Sequence, residues 1–348
     1  VSSIGPTADA GDDTAGRAGG GARAPRVGAV SVRRSGTVLA LVALAALIPL
    51  LGPPVVLRGT GEAAAPGAGG IALLRTVLFA AVCVSAGEVF VARLARRVPG
   101  APHEDVPRGW APAAAAAGFV AALGLASVVA TGNLVPRSLA DMDIGGLYQS
   151  RDGALALLEV NAFVVLGLCA LSRRPVTQVW PLAAIAVAEA LRAHPVTERS
   201  PLVGSGLTLV HVTCAVLWAG GLLYVLRTML RWRHTAPGEG AALLGLYARV
   251  AAVLLAAITA TGVWSTLRRM PPGTVLDQLT TTAYGRTLVA KVLLVVAVAV
   301  LALWARRRLH RAADPLTAYS PARAEVVVLG LVVAVSALLT AVPVPIRW

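Results

Sequence analysis

Charge is what this sequence has least of. Asp, Glu, Lys and Arg make up only 14% of the 348 residues, and Lys291 is the one lysine in the chain. Hydrophobic residues take 57% and the mean hydropathy is +0.74. A soluble chain of this length would be one large domain or two with a charged surface, so the composition points to an integral membrane protein. No glycine-rich phosphate loop, CxxC pair, HExxH or nucleophile elbow occurs. No polar stretch is long enough for a separate catalytic domain, and the chain is read as a non-enzyme. Cysteine is scarce too: Cys83, Cys169 and Cys214 all fall in apolar segments, which argues against disulfides and leaves packing residues or soft ligands.

What is there is a series of apolar runs. A helical span needs about 20 mostly apolar residues, and nine windows qualify, at 37–57, 70–92, 110–133, 153–172, 176–191, 205–226, 245–267, 286–305 and 325–345. The fifth is short. The formal charge of +14 arises from arginines spread over short loops, and with the N-terminus inside, two thirds of the basic residues fall on the inner side. Positive-inside topology accounts for the charge without nucleic acid. It predicts a multi-pass protein of the cytoplasmic membrane, N-terminus in and C-terminus out, with the lipid bilayer as its main partner. Residues 1–36 are rich in Gly, Ala, Ser and Arg and read as a disordered cytoplasmic tail. The first apolar run is too long for a cleaved signal and reads as a retained anchor, 37–57.

The other eight windows divide into an N-terminal half, 70–191, and a C-terminal half, 192–348. Ala86-Gly87 matches Ala219-Gly220, Ala130-Thr131-Gly132 matches Ala260-Thr261-Gly262, and Tyr148 and Arg151 fall near the register of Tyr284 and Arg286. Four crossings return the chain to the same side, so these would be parallel repeats about an axis along the membrane normal. The small residues should let neighbouring helices approach closely. The expected fold is an all-α transmembrane bundle of about nine spans.

Ionisable groups within a span cost at least about 2.5 kcal/mol each, so each asks for a partner or a function. Arg75, Glu159 and Lys291 lie five to seven residues below the outer surface, roughly 8–10 Å at 1.5 Å per residue. Glu189 and His211 lie at similar depth, with Cys214 one turn further in. His211 and Cys214, at i and i+3 in LTLVHVTCAVLWAGGLL, share a helix face. His194, Met142 and Met270 lie in the outer loops. Thioether, thiol and imidazole are what Cu(I) selects, whereas hard cations prefer oxygen. Each residue also has a plain reading. A membrane histidine bonds a neighbouring helix more often than a metal, cysteine packs as a small hydrophobe, and Arg75 and Lys291 can snorkel to headgroups. Glu159 and Glu189 can pair with Arg75 or Lys291 and fix the bundle, and Glu88 and Glu325 can meet arginines at the inner face.

HVTCAVLWAGGLLYVL resembles the histidine-led helix with a Trp-x-Gly-Gly turn of the copper resistance D family of bacterial membrane proteins. The likeness continues through YARVAAVLLAAITATGVW, AYGRTLVAKVLL and AEVVVLGLVVAVSALLTAVPVP, over about residues 190–346, and more weakly at ALLRTVLFAAVCVSAGEVF. His211, Trp218, Gly220, Gly221, Tyr284, Gly285, Arg286, Lys291 and Glu325 fall on family positions, while His194 stands in Ala-His-Pro where the family has Gly-His-Ala. The resemblance implies movement of Cu(I) or Cu(II) across the cytoplasmic membrane, often with an extracytoplasmic copper-binding partner. His211 and Cys214 would form the intramembrane site, with His194, Met142 and Met270 gathering ions at the mouth. Two other classes stay open at this point: a membrane redox protein ligating haem through His211 and His194, and a non-transporting subunit that hands copper to a respiratory oxidase. Oligomeric state is not legible.

Overall fold

The computed structural model describes residues 46–343 except 64, 133, 137, 173, 197–199, 271–272 and 312–318, and without the side chains of 139, 175, 305–306, 308–311, 319–323 and 325. The tail 1–36 and the first part of the 37–57 window lie outside the described residues. All the described regular structure is helical. In chain order it runs α1 (Ala46–Leu57), α2 (Ala68–Ala95), α3 (Ala111–Ala130), α4 (Ile144–Gln149), α5 (Arg151–Leu171), α6 (Val179–Arg192), α7 (Pro201–Trp232), α8 (Pro237–Arg269), α9 (Val275–Thr281), α10 (Ala283–Arg311) and α11 (Tyr319–Leu339).

Each of the nine apolar windows contains a helix. Six of them, α2, α3, α5, α7, α8 and α10, are long and apolar enough to cross a bilayer. α6 has 14 residues, and the described apolar parts of α1 and α11 are Ala46–Leu57 and Val326–Leu339. The windows do not contain α4 and α9, which are specified by local chemistry rather than by apolar length. Asp143 caps α4 by accepting from the Gly146 amide at 2.9 Å, and Ser150 starts α5 by accepting from Gly153 N at 3.1 Å. Pro201 and Pro237 open α7 and α8 at the first helical position, where a missing N–H costs nothing.

The chain runs twice through one order: two long helices, a short one, a long one and a last one, α2–α6 and then α7–α11. The neighbours repeat as well. α2 packs on α3 as α7 packs on α8, α5 on α6 as α10 on α11, and α6 leans on α7 as α11 leans on α2. Gly153 abuts the backbone of Leu147 in α4, and Gly285 abuts that of Gln278 and Leu279 in α9, because no Cβ stands in the way. Two of the sequence matches are not at equivalent places, however. Thr131 ends α3 whereas Thr261 lies inside α8. Tyr148 is exposed in α4 whereas Tyr284 is buried in α10. Ala-rich helices produce such coincidences readily.

The Ala-Gly pairs sit where α2 crosses α7. A Cβ on Gly87 would overlap the Gly220 backbone, and one on Gly220 would overlap the Cys83 carbonyl. The two backbones are therefore in direct contact, the small-residue packing expected of membrane helices. Gly221 faces the rings of Tyr247 and Phe90. The halves differ in one contact: α3 lies along α5, with the Phe163 ring seated over Gly118, but α8 and α10 make no comparable packing among the described residues.

Enlarging the crossing is the direct test. Gly220→Val should destabilise the purified protein by about 1–3 kcal/mol or more, as overpacking against backbone does. The measurement is its thermal unfolding in detergent, with Gly245→Val, where a Cβ meets nothing within 4 Å, as the matched control.

Candidate functional site

Between α2, α7, α8, α10 and α11 lies a cavity of about 240 Å³. It is at the end of the bundle that holds Arg192, Pro201, Arg269 and Ala283, called the upper end here. Most of its wall is apolar. The polar groups are His211 and Thr208 from α7, Ser265, Thr266 and Arg269 from α8, Tyr284 and Lys291 from α10, Ser336 and Thr340, and Cys83 from α2. Among the described residues no aspartate or glutamate is in the wall. Arg269 Nη1 donates to the Tyr284 hydroxyl at 3.3 Å, and this bond bridges α8 to α10.

The imidazole of His211 is held in one state by its neighbours. Nδ1 stands 3.0 Å from Thr261 Oγ1. The Thr261 hydroxyl already donates to the Ala257 carbonyl at 2.7 Å, so its oxygen is left to accept and Nδ1 carries the proton. The lone pair is then on Nε2, the arrangement of a metal-ligating or proton-accepting histidine with its second nitrogen anchored. Gly262 makes room for the ring, since a Cβ there would come 3.4 Å from Cε1.

A second polar group lies in the N-terminal half. Arg192 Nη2 is 2.8 Å from Glu159 Oε2, Arg192 Nη1 is 3.3 Å from Glu189 Oε1, and Arg75 Nη1 is 3.1 Å from Glu189 Oε2. Two guanidiniums and two carboxylates from α2, α5 and α6 thus form one chain with no net formal charge, and the Glu159 side chain is 1% exposed. Arg192 is the member that sequence reasoning missed. It stands one turn after Glu189, and that i, i+3 spacing was the available signal. Lys291 has no part in this group.

The other expected ligands are not brought together. Cys214 packs against the apolar cluster around Trp218 and Leu222 and is not in the cavity wall, whereas Cys83 is. The i, i+3 spacing places Cys214 near the His211 stripe of α7, but tertiary packing turns that stripe toward two different neighbours. Met270, expected in an outer loop, is fully buried among Leu57, Tyr284 and Leu338. His194 is buried with Nε2 2.9 Å from Thr208 Oγ1. Met142 is half-buried in the turn before α4 and outside the cavity wall. Among the described residues no three His, Cys, Asp or Glu side chains stand close enough to hold one ion.

The remaining motif residues serve packing. Trp218 is buried and its carbonyl accepts from the Tyr247 hydroxyl at 2.5 Å. Arg286 bonds the Thr280 and Arg58 carbonyls at 2.8 and 2.7 Å, tying α1 to α9 rather than facing the cavity. At the lower end Glu88 accepts from Tyr224 at 2.7 Å instead of meeting an arginine. Arg227 lies over the Trp110 ring, 3.9 Å from its centroid. The Glu325 side chain lies outside the described residues.

Removing Arg192 alone leaves the buried Glu159 carboxyl without its partner in an apolar surround. Arg192→Leu should destabilise the purified protein by about 3–5 kcal/mol, and Arg192→Leu with Glu159→Leu should recover most of that. Thermal unfolding of the two single variants and the double variant checks it.

No curated protein and no solved structure matches the chain. The family model of copper resistance protein D matches residues 241–339. That segment takes in nearly all of α8 and the whole of α9, α10 and α11, and with them Tyr284, Gly285, Arg286, Lys291 and Glu325. α7, with His211, Trp218, Gly220 and Gly221, precedes it. Over residues 241–339, which include three of the five helices that line the cavity, the chain is similar to the copper resistance protein D family.

Proposed function

We propose that this multi-pass membrane protein moves copper across the cytoplasmic membrane, inward, through the cavity beside His211. The family match to the helices that wall that cavity carries the reading. The chemistry of the wall supports a soft ion: a hard cation would need oxygen anions, of which the wall has none, whereas His211 Nε2 and the Cys83 thiol are donors that Cu(I) accepts. His211 is assigned as the principal ligand and Cys83 as the second. The excess of arginine in the loops of the opposite end orients the upper end outward, so copper enters from the outside, received there from an extracytoplasmic copper-binding protein. Arg269 and Tyr284, joined at the upper end, form the mouth. The chain acts as a permease, without covalent chemistry on its cargo.

The test is labelled copper flux in oriented vesicles. His211→Ala should lower the initial rate about tenfold or more, Cys83→Ser should lower it less, and Cys214→Ala should leave it unchanged. Unaltered flux in both His211→Ala and Cys83→Ser would overturn the assignment. A Soret band in the purified protein would point instead to haem.

A further inference from the structure

The cavity has a property that a route for a cation does not require. Among the described residues its formal charges are both positive, Lys291 in α10 and Arg269 at the end of α8, and no carboxylate is in its wall. Lys291 stands eight residues into α10, about 12 Å along the helix. It is half-buried and has no ion-pair partner among the described residues. An ammonium at membrane depth without a counter-ion is costly. The N-terminal half shows the ordinary solution, two arginines matched by two glutamates.

The side of the cavity between α8 and α10 is also uncovered among the described residues. α8 and α10 do not pack along each other, and only 11% of the apolar window of α10 is buried against 61% for α2. On the two helices flanking this gap, side chains that face away from the cavity, Trp264 on α8 and Leu293 on α10, are exposed. Inward of it the wall is apolar, from Ile258, Leu288, Val295 and Val332. A mostly apolar pocket with a few convergent polar groups is the usual form of a small-molecule site.

We propose that this cavity binds a monoanionic amphiphile, a long-chain carboxylate that enters from the bilayer between α8 and α10. Its carboxylate pairs with Lys291, and its chain lies along the apolar wall. Ser336 is the hydroxyl that α11 adds to the wall, while that of Thr340, just beyond it, donates to the Ala337 carbonyl at 2.6 Å. A small soluble anion would satisfy Lys291 but would leave the apolar wall and the lateral gap without a counterpart. The inference is independent of the copper reading, and its test contains no copper.

The full chain, purified in a maltoside detergent, is titrated with a dansylated long-chain carboxylate. The probe is then displaced by palmitate, hexadecanol or acetate. Palmitate should displace it, hexadecanol should do so about tenfold or more weakly, the scale of losing one partner of a buried charge pair, and acetate should have no effect. Lys291→Met should abolish the preference for acid over alcohol and Lys291→Arg should keep it, with size-exclusion profile and circular dichroism unchanged. Absence of saturable binding, equal displacement by acid and alcohol, displacement by acetate as strong as by palmitate, or an unaltered preference in Lys291→Met would each overturn the proposal. Should Lys291→Met not fold, the wild-type comparison of acid with alcohol decides.

Discussion

Where α2 crosses α7, Gly87 and Gly220 face each other and the two backbones touch without a side chain between them. In a bilayer, apolar side chains gain little by leaving lipid for protein, so helix association depends on how closely backbones can approach. This crossing joins the two halves of the bundle. It sets α2 so that Arg75 reaches α6 on one side while Cys83 reaches the cavity on the other. It turns α7 so that His211 faces Thr261 across to α8.

The two halves deal with charge in opposite ways. In the first, Glu159, Glu189, Arg75 and Arg192 pair with one another and together make a group with no net formal charge that links three helices. Such a group balances its own charges and explains itself as structure. In the second, Lys291 and Arg269 face a cavity without carboxylates. Unmatched charge at membrane depth marks function rather than packing. The second half is thus distinguished by what its charges lack.

Packing follows the same division. Phe163 seats over Gly118 and closes α3 on α5, while the corresponding pair α8 and α10 is parted and bridged at the upper end by Arg269 and Tyr284. A shared element order with one contact missing yields a closed half and an open half. The similarity to copper resistance protein D falls on the open one.

Much of this was legible in the residues. Apolar length and scarce charge determine that the chain is a membrane bundle, because a bilayer admits only segments that satisfy their own backbone groups. All nine apolar windows hold a helix, and the cost of charge in lipid marked Arg75, Glu159, Glu189, Lys291 and His211 as residues needing partners. Which partner each one takes was decided only by tertiary structure. Lys291 was an equal candidate to pair with the glutamates, and Arg192 went unnoticed at the end of a short helix, yet helix rotation gives the glutamates to the arginines and leaves the lysine in the cavity. Cys83 shares the wall with His211 where spacing along α7 suggested Cys214. Met270 and His194 read as loop residues and are buried. Spacing on one helix reports which residues share a stripe, and the crossing of neighbouring helices determines what that stripe meets, because contacts between helices join residues far apart in the chain.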